Sequence, residues 1–337
     1  MKLYPLKFKP VYKDYIWGGD KIASRYNRSI PGENCAESWE ISAHPDGMSV
    51  VENGKLAGTG LSELAQSFGE RLLGTGAEGE RFPLLIKLID AKRDLSVQVH
   101  PHNENAHLTG GEPKTEMWYI LDADPGTELV AGLMPGVDRE QLRQALERCE
   151  VEAVLNRENV EPGDVVYMPG GRVHAICAGA LILEVQQSSN TTYRLYDWGR
   201  TGKDGKARQL HIDEALQVIR TEDDEPLKSS PETISSADGK TVERLLDTDY
   251  FRLNRLSLQN EMSLEHDPER FRAYFCESGS ALFRSGSHEI PLETGRSLLL
   301  PADLEACLII PQLAACRLLE ILPGQSTSSL ERKMIDS

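Results

Sequence analysis

Short apolar runs bounded by glycine and proline recur along most of the chain. They include "PLLIKLID" (83–90), "LSVQVH" (95–100), "EMWYIL" (116–121), "DVVYMP" (164–169), "ALILEVQQ" (180–187) and "TTYRLYDW" (191–198). Runs of this length with turn signals between them read as strands of a sandwich or barrel. Three stretches follow the helical period instead. In 58–75, Leu61, Leu64, Ala65, Phe68 and Leu72 fall on one helical face. In 137–149, Asp138 stands as an N-cap with Gln141 three residues on, a capping-box pattern. In 211–220, Ile212, Ala215, Leu216 and Ile219 share a face. The stretch 221–242 then turns polar and acidic with two prolines, which predicts a linker and domain boundary. Strand-like segments resume over 243–323, and 324–337 reads as a loose tail.

The 337 residues suffice for two domains with cores of their own. A net charge of -16 gives no positive field to attract phosphate backbones or anionic lipid, so neither nucleic acid nor a membrane surface is expected as a partner. No apolar run approaches the roughly 20 residues that span a bilayer. The lysine-rich start "MKLYPLKFKPVYKDY" lacks the apolar core of a secretory signal. Six cysteines without CxxC spacing read as small hydrophobes in a reducing, cytoplasmic setting.

Candidate chemistry enters with the histidines, three of the eight lying within 100–107. In an extended "LSVQVHPH", Leu95, Val97 and Val99 share one face. Ser96, Gln98 and His100 share the other, with His102 near it past Pro101. A face bearing Gln and His points to a polar cavity, and amide oxygen with imidazole nitrogen suits a divalent transition metal. His107, beside Asn103 and Asn105, reads as a solvated loop residue. Glu116 opens a strand able to pair back on the first, which brings its carboxylate within reach of that cavity. In "EPGDVVYMPGGRVHAI" the turn Pro169-Gly170-Gly171 breaks a strand three residues before His174.

The spacing of Gly163, Pro169, Gly171 and His174 resembles the second signature motif of the cupin superfamily. There such a turn aims a histidine at a metal inside a β-barrel. The resemblance implies two further ligands and a Glu from the first motif, here Gln98, His100 and Glu116. Gln98 stands where a histidine is usual. Gly295 is again followed by Pro301, and Ala306 stands where the spacing would place a histidine, as in a second barrel without its ligand. The expected fold is therefore mainly β, two cupin-type jelly-roll barrels with a few inserted helices. Residues 1–220 would form the metal-binding barrel and 243–323 the degenerate one.

"LSVQVHPH", "KTEMWYIL", "GGRVHAI" and "NTTYRLYDWGR" together resemble type I phosphomannose isomerases, as do "YIWGGDKI", "AESWEISAHP" and "PLLIKLIDA". Specific motifs cover roughly residues 5 to 220. The resemblance implies an aldose–ketose isomerase using one zinc per chain on a sugar phosphate, mannose 6-phosphate or fructose 6-phosphate. Its ligands would be Gln98, His100, Glu116 and His174. Lys114, Glu184 and Arg194 would line the catalytic cavity, with Lys87, Trp17 and Arg200 toward the substrate.

Isomerisation through an enediolate needs a base near a carbon acid, and cations or donors for the developing oxyanion. Glu184 and Lys87 interrupt otherwise apolar runs, and Arg194 lies between two tyrosines. Glu184 so placed is either buried with a partner or turned to the cavity, Lys87 either lines the phosphate end or snorkels, and Arg194 points inward rather than to solvent. Around them Arg194, Arg200, Lys203, Lys206 and Arg208 face only Asp197 and Asp204, a local basic excess in an acidic chain. The competing readings are a metal-dependent cupin oxygenase and a non-catalytic sugar-binding cupin.

Overall fold

The computed structural model describes residues 1–77, 81–202, 205–223 and 225–324. Lys203 and Asp204 of the basic segment, and the expected tail beyond Gly324, lie outside the described residues. The strands of the first half are Phe8–Lys9 (β1), Val11–Lys13 (β2), Glu37–Ser42 (β3), Val50–Val51 (β4), Leu84–Asp90 (β5), Val97–Val99 (β6) and Glu116–Ala123 (β7). Next come Glu128–Leu133 (β8), Leu155–Asn159 (β9), Val165–Met168 (β10), His174–Ile176 (β11), Ala180–Gln187 (β12) and Tyr193–Tyr196 (β13). The last third holds Glu232–Ala237 (β14), Lys240–Asp247 (β15), Phe251–Leu258 (β16), Met262–Leu264 (β17) and Arg272–Ser278 (β18). It ends with Ser280–Ser285 (β19), His288–Glu293 (β20), Ser297–Leu300 (β21), Cys307–Pro311 (β22) and Cys316–Pro323 (β23). The helices are Lys21–Tyr26 (α1), Leu61–Phe68 (α2), Glu70–Leu73 (α3), Ala106–Thr109 (α4), Arg139–Glu147 (α5) and Ile212–Val218 (α6). The chain is mainly β, as its pattern predicts.

Two compact units interleave along the sequence. A central unit comprises 12–38 and 86–229, and a flanking unit comprises 1–11, 39–85 and 230–337. Residues 1–11 and 39–85 thus group with the C-terminal stretch rather than with the rest of 1–220. Part of the stretch expected as a linker is strand: β14 lies wholly inside 221–242, every residue exposed, paired to β15. An exposed edge strand needs no apolar face, so hydrophobic pattern does not reveal it.

The three expected helices form. The first is split, because Gly69 between α2 and α3 takes a left-handed φ of 48°. α5 carries the anticipated capping box of Asp138 and Gln141.

A six-stranded sheet has the order β10-β7-β12-β5-β3-β2, and a five-stranded one the order β13-β6-β11-β8-β9. An apolar interior draws on both sheets, with Trp118, Ile120 and Ile182 from one and Leu129 and Ile176 from the other. The outer face of the five-stranded sheet (Val97, Val99, Ala175, Leu195) is covered by Leu142 of α5 and Leu216 of α6. Leu95 departs from expectation. It precedes β6 and packs in the interior cluster, not on the outer face with Val97 and Val99. The flanking unit repeats the plan around its own core of Leu256, Tyr274, Phe283, Leu298, Ile309 and Leu318.

A candidate metal centre and active site

With Val97 and Val99 turned outward, period-two alternation turns Gln98 inward. Gln98 pairs with His174 on one side and Arg194 on the other, so three side chains stand abreast across β13, β6 and β11. The turn before His174 is docked on the first histidine segment: Gly171 N donates to His100 O at 2.7 Å. Gly170 must be glycine there, since a Cβ would come within 2.7 Å of His102 Cα and Pro101 O. That contact explains the Pro-Gly-Gly break. A side chain in the turn would push His174 away from His100.

The His174 ring is oriented by its Nδ1–H, which donates to Arg172 O at 2.8 Å. Its Nε2 lone pair therefore faces inward. Around Nε2 lie His100 Nε2 at 3.2 Å, Glu116 Oε1 at 3.3 Å and the Gln98 amide at 3.4 Å. The two sides of an amide are interchangeable by a half-turn, which presents Gln98 Oε1 to the same point. His100, Glu116 and His174 are buried, with ligand atoms all within 4.8 Å of one another. With its proton on Nδ1, His174 offers Glu116 only a lone pair, and Glu116 Oε1 has no hydrogen-bond partner. A cation resolves the conflict. Ligands about 2.0–2.1 Å from a tetrahedral zinc stand about 3.3–3.4 Å apart, which these separations match.

Electrostatics agree. Burial pushes the His174 pKa down to about 4, with Lys114 acting in the same direction against the Arg172 carbonyl. Burial, then Lys114, drives His100 well below its ordinary value. Both rings are therefore neutral near pH 7, the form that binds metal. Burial, then Glu184, pushes Glu116 up to about 7, with Lys114 and Lys87 opposing. A carboxylate so reluctant to ionise is one a bound cation would stabilise.

The other expected catalytic groups adjoin this cluster. Lys114 Nζ lies 2.8 Å from Glu116 Oε2, 3.0 Å from His100 Nε2 and 4.0 Å from Glu184 Oε1. Glu184 accepts from Trp118 Nε1 at 3.1 Å and pairs with Lys87 at 2.9 Å. Burial alone would raise the Glu184 pKa. Lys87 and Lys114 reverse that and hold it below the ordinary range. Lys87 also faces Glu37 at 3.6 Å. Burial works against its charge, yet Glu184, Glu37 and Glu116 together keep it protonated. Arg194 donates from Nε to Ser96 Oγ at 3.1 Å and from Nη1 to Gln209 O at 2.8 Å. Ser96 in turn contacts Gln98 Oε1 at 3.4 Å, linking the guanidinium to the candidate ligand set.

Arg200 stands beyond Arg194. Its Nη2 donates to Asp197 Oδ1 at 2.5 Å and its Nη1 to Asp94 O. Trp17 is not at an open surface. At 3% exposure it packs in the interior apolar cluster. His102 stays outside the cluster, where its Nδ1 accepts from Glu104 N at 3.3 Å.

Sequence reasoning misses three contributors. Trp118 shares strand parity with Glu116, a period-two signal that was available. Glu37 carries no local signal, since only folding brings it to Lys87. Asp197 also takes two donors from Arg208, at 2.8 and 2.5 Å, and so organises the arginines.

A family model described as "Phosphomannose isomerase type I, catalytic domain" matches residues 5–130. A mannose-6-phosphate isomerase of Bacillus subtilis is 40% identical over 311 residues, covering 90% of this chain and 95% of the relative. A mannose-6-phosphate isomerase of Streptococcus mutans is 35% identical over 303 residues, covering 90% and 94%. The crystal structure of the mannose 6-phosphate isomerase from Bacillus subtilis superposes with a TM-score of 0.86 at 36% identity, over 94% of this chain and 99% of that one.

Proposed function

The chain belongs to the type I phosphomannose isomerases, and on that premise we propose that its buried cluster is the centre at which mannose 6-phosphate and fructose 6-phosphate interconvert, with one zinc held by Gln98, His100, Glu116 and His174. The observation that carries this is the mutual approach of Gln98, His100, Glu116 and His174 in one buried cluster, with Glu116 Oε1 left without a hydrogen-bond partner. Family membership sets aside the oxygenase and the non-catalytic sugar binder.

Bound zinc would polarise and orient the sugar oxygens. The remaining chemistry belongs to the protein's own groups. A proton leaves C2 of the open-chain aldose and the C2–H electrons move toward the C1 carbonyl oxygen. Return of that proton to C1 and passage of the O2 proton to O1 give the ketose. Glu184 is the ionised carboxylate outside the ligand set, and we assign it the role of proton acceptor. Lys114, bridging Glu116 and Glu184, would hold the sugar oxygens and pass protons to them. Arg194 keeps its charge at any working pH and presents donors to the enediolate. Lys87 holds Glu184 in place.

The phosphate would be met at the far side of Arg194. The charged groups acting on Arg194 are Arg208, Asp197 and Arg200. Three guanidiniums with one carboxylate leave a surplus of two positive charges, which a phosphate monoester of nearly two negative charges would balance. Among the described residues no helix is long and apolar enough to cross a membrane. None of the six cysteines is in a disulfide and five of them are buried, which supports a cytoplasmic setting.

The test joins metal analysis to an assay for fructose 6-phosphate. His174→Ala should lose zinc and activity together while circular dichroism stays unchanged. A variant that kept a full equivalent of zinc would refute the ligand assignment.

A further inference from the structure

The sheet orders of the two units are the same once aligned. The flanking sheet β21-β18-β23-β16-β15-β14 repeats β10-β7-β12-β5-β3-β2, and β17-β22-β19-β20 repeats β6-β11-β8-β9. Register carries the correspondence to single residues. Trp118 lies opposite Val166 and Glu184, and Tyr274 lies opposite Leu298 and Glu320. Trp118 donates to Glu184, and Tyr274 OH donates to Glu320 Oε1 at 2.6 Å. Lys87 on β5 holds the other Glu184 oxygen, and Asn254 on β16 holds Glu320 Oε2 at 2.8 Å. The catalytic unit's buried carboxylate thus has a counterpart, with a ring donor and a second donor from equivalent strands.

The candidate ligands are replaced in the same register. Gln98 pairs with His174, the first residue of β11, and Leu264 pairs with Cys307, the first residue of β22. Cys307, and not the Ala306 that glycine spacing indicates, therefore stands at the His174 position. The turn after Pro301 is one residue longer than the turn after Pro169. Glu116 lies opposite Met168, and Arg272 lies opposite Leu300. Arg272 Nη1 donates to Glu320 Oε1 at 3.1 Å and Nη2 to Asp267 Oδ2 at 3.3 Å. The space between Leu264, Arg272, Leu300 and Cys307 is about 20 Å³, room for about one water.

We propose that the flanking unit holds a second copy of the catalytic unit's polar core, in which Arg272 stands at a metal-ligand position and its guanidinium takes over from the lysines that face Glu184 as the fixed counter-charge of Glu320. A charge-reversing substitution at one ligand position does two things. It removes a carboxylate the metal needs, and it supplies the positive charge that the neighbouring buried carboxylate needs. Burial works against the Arg272 charge, while Tyr274 and Glu320 more than restore it. With Tyr274, Asn254 and Arg272 all donating to Glu320, both of its oxygens are engaged, and the space beside Arg272 has room for about one water rather than a sugar. The comparison with Glu116 rests on the ligand assignment proposed above, but the charge role of Arg272 does not.

Two measurements test this separately from catalysis. The first is a double-mutant cycle read by thermal unfolding. Arg272→Met keeps the apolar stem and strands Glu320, so the Tm should fall by several degrees. Adding Glu320→Gln should recover most of that fall, because the orphaned charge is gone. Additive losses in the double variant would mean that Arg272 acts by packing alone, and would overturn the proposal. The second is zinc content after dialysis. Wild type should hold one equivalent per chain. The triple variant L264Q/R272E/C307H, with His266 two residues past position 264 as His100 is past Gln98, should bind a second. A folded triple variant that still holds one equivalent would overturn the positional correspondence, as would two equivalents in wild type. If the triple variant does not fold, the cycle at Arg272 and Glu320 decides alone.

Discussion

At the scale of single residues, the proposed site separates candidate metal ligands from groups that would handle charge on the substrate. Arg194 touches Ser96 and Gln209 but no candidate ligand directly. Arg194→Ala should therefore keep its zinc and lose roughly 10²–10³-fold in kcat, the usual loss for one preorganised donor. Arg194→Lys should recover part of this, since lysine keeps the charge without the planar fork. An unchanged kcat with a raised KM would move Arg194 to substrate binding. Asp197 acts one step further out. It takes donors from Arg200 and Arg208, and these contacts hold its carboxyl below the ordinary range despite burial. Asp197→Ala frees both arginines. The KM for mannose 6-phosphate should rise by roughly tenfold, the worth of a charge-assisted hydrogen bond, while kcat and zinc content hold. A loss confined to kcat would contradict the phosphate role.

At the scale of elements, two junctions position the site. The short helix α1 has no side-chain cap from its own Asp20. Asp90, at the end of β5, instead accepts from Lys21 N at 2.5 Å and Ile22 N at 3.3 Å. A cap supplied by a distant strand ties α1 to the six-stranded sheet. Asp90→Ala should cost about 1–2 kcal/mol in denaturant unfolding. Burial raises the Asp90 pKa from 3.8 to about 6 against its backbone donors. The folded state therefore prefers the protonated carboxyl. Its contribution to stability is largest below the unfolded value, declines as pH rises to about 6, and is level above that. Asp90→Asn should flatten that part of the stability–pH profile, and an unchanged slope would show that Asp90 is not its source. The second junction is the turn at Gly170. Gly170→Ala forces a Cβ against the backbone of Pro101 and His102, which should move His174 and weaken zinc binding by tenfold or more, measured by competition with a chelator.

At the scale of the whole molecule, one candidate ligand set among the described residues sits in one of two similar units. Zinc held as proposed would bind the folded central unit and not the unfolded chain. Saturation at 100 times Kd should therefore add about 2.7 kcal/mol to its stability. Removing zinc with a chelator should raise amide exchange on β7 and β11 and leave β18 and β23 unchanged. Equal effects on both sets of strands would contradict a metal confined to the central unit.

The sequence alone determines the elements whose signal is local. Alternation and glycine–proline punctuation mark the strands, and period 3.6 with the Asp138 cap marks α5. Strand parity puts Gln98 and His100 on the face opposite Val97 and Val99. Motif resemblance then joins Glu116 and His174 to them. What is not local is not legible. The exposed hairpin strand β14 has no apolar face to betray it, and the four-residue α4 is too short for a period. The flanking unit gathers residues 1–11, 39–85 and 230–337, which no composition shift announces. Glu37 against Lys87, Asp90 on α1 and Arg172 O on His174 Nδ1 join residues distant in sequence or set by a turn. Only the folded sheets and turn bring them into contact. Tertiary register also decides between Ala306 and Cys307, because one added residue in a turn shifts the count along the chain but not the ladder of backbone hydrogen bonds. Counting along a chain measures contour length, whereas chemistry depends on which side chains the ladders set side by side.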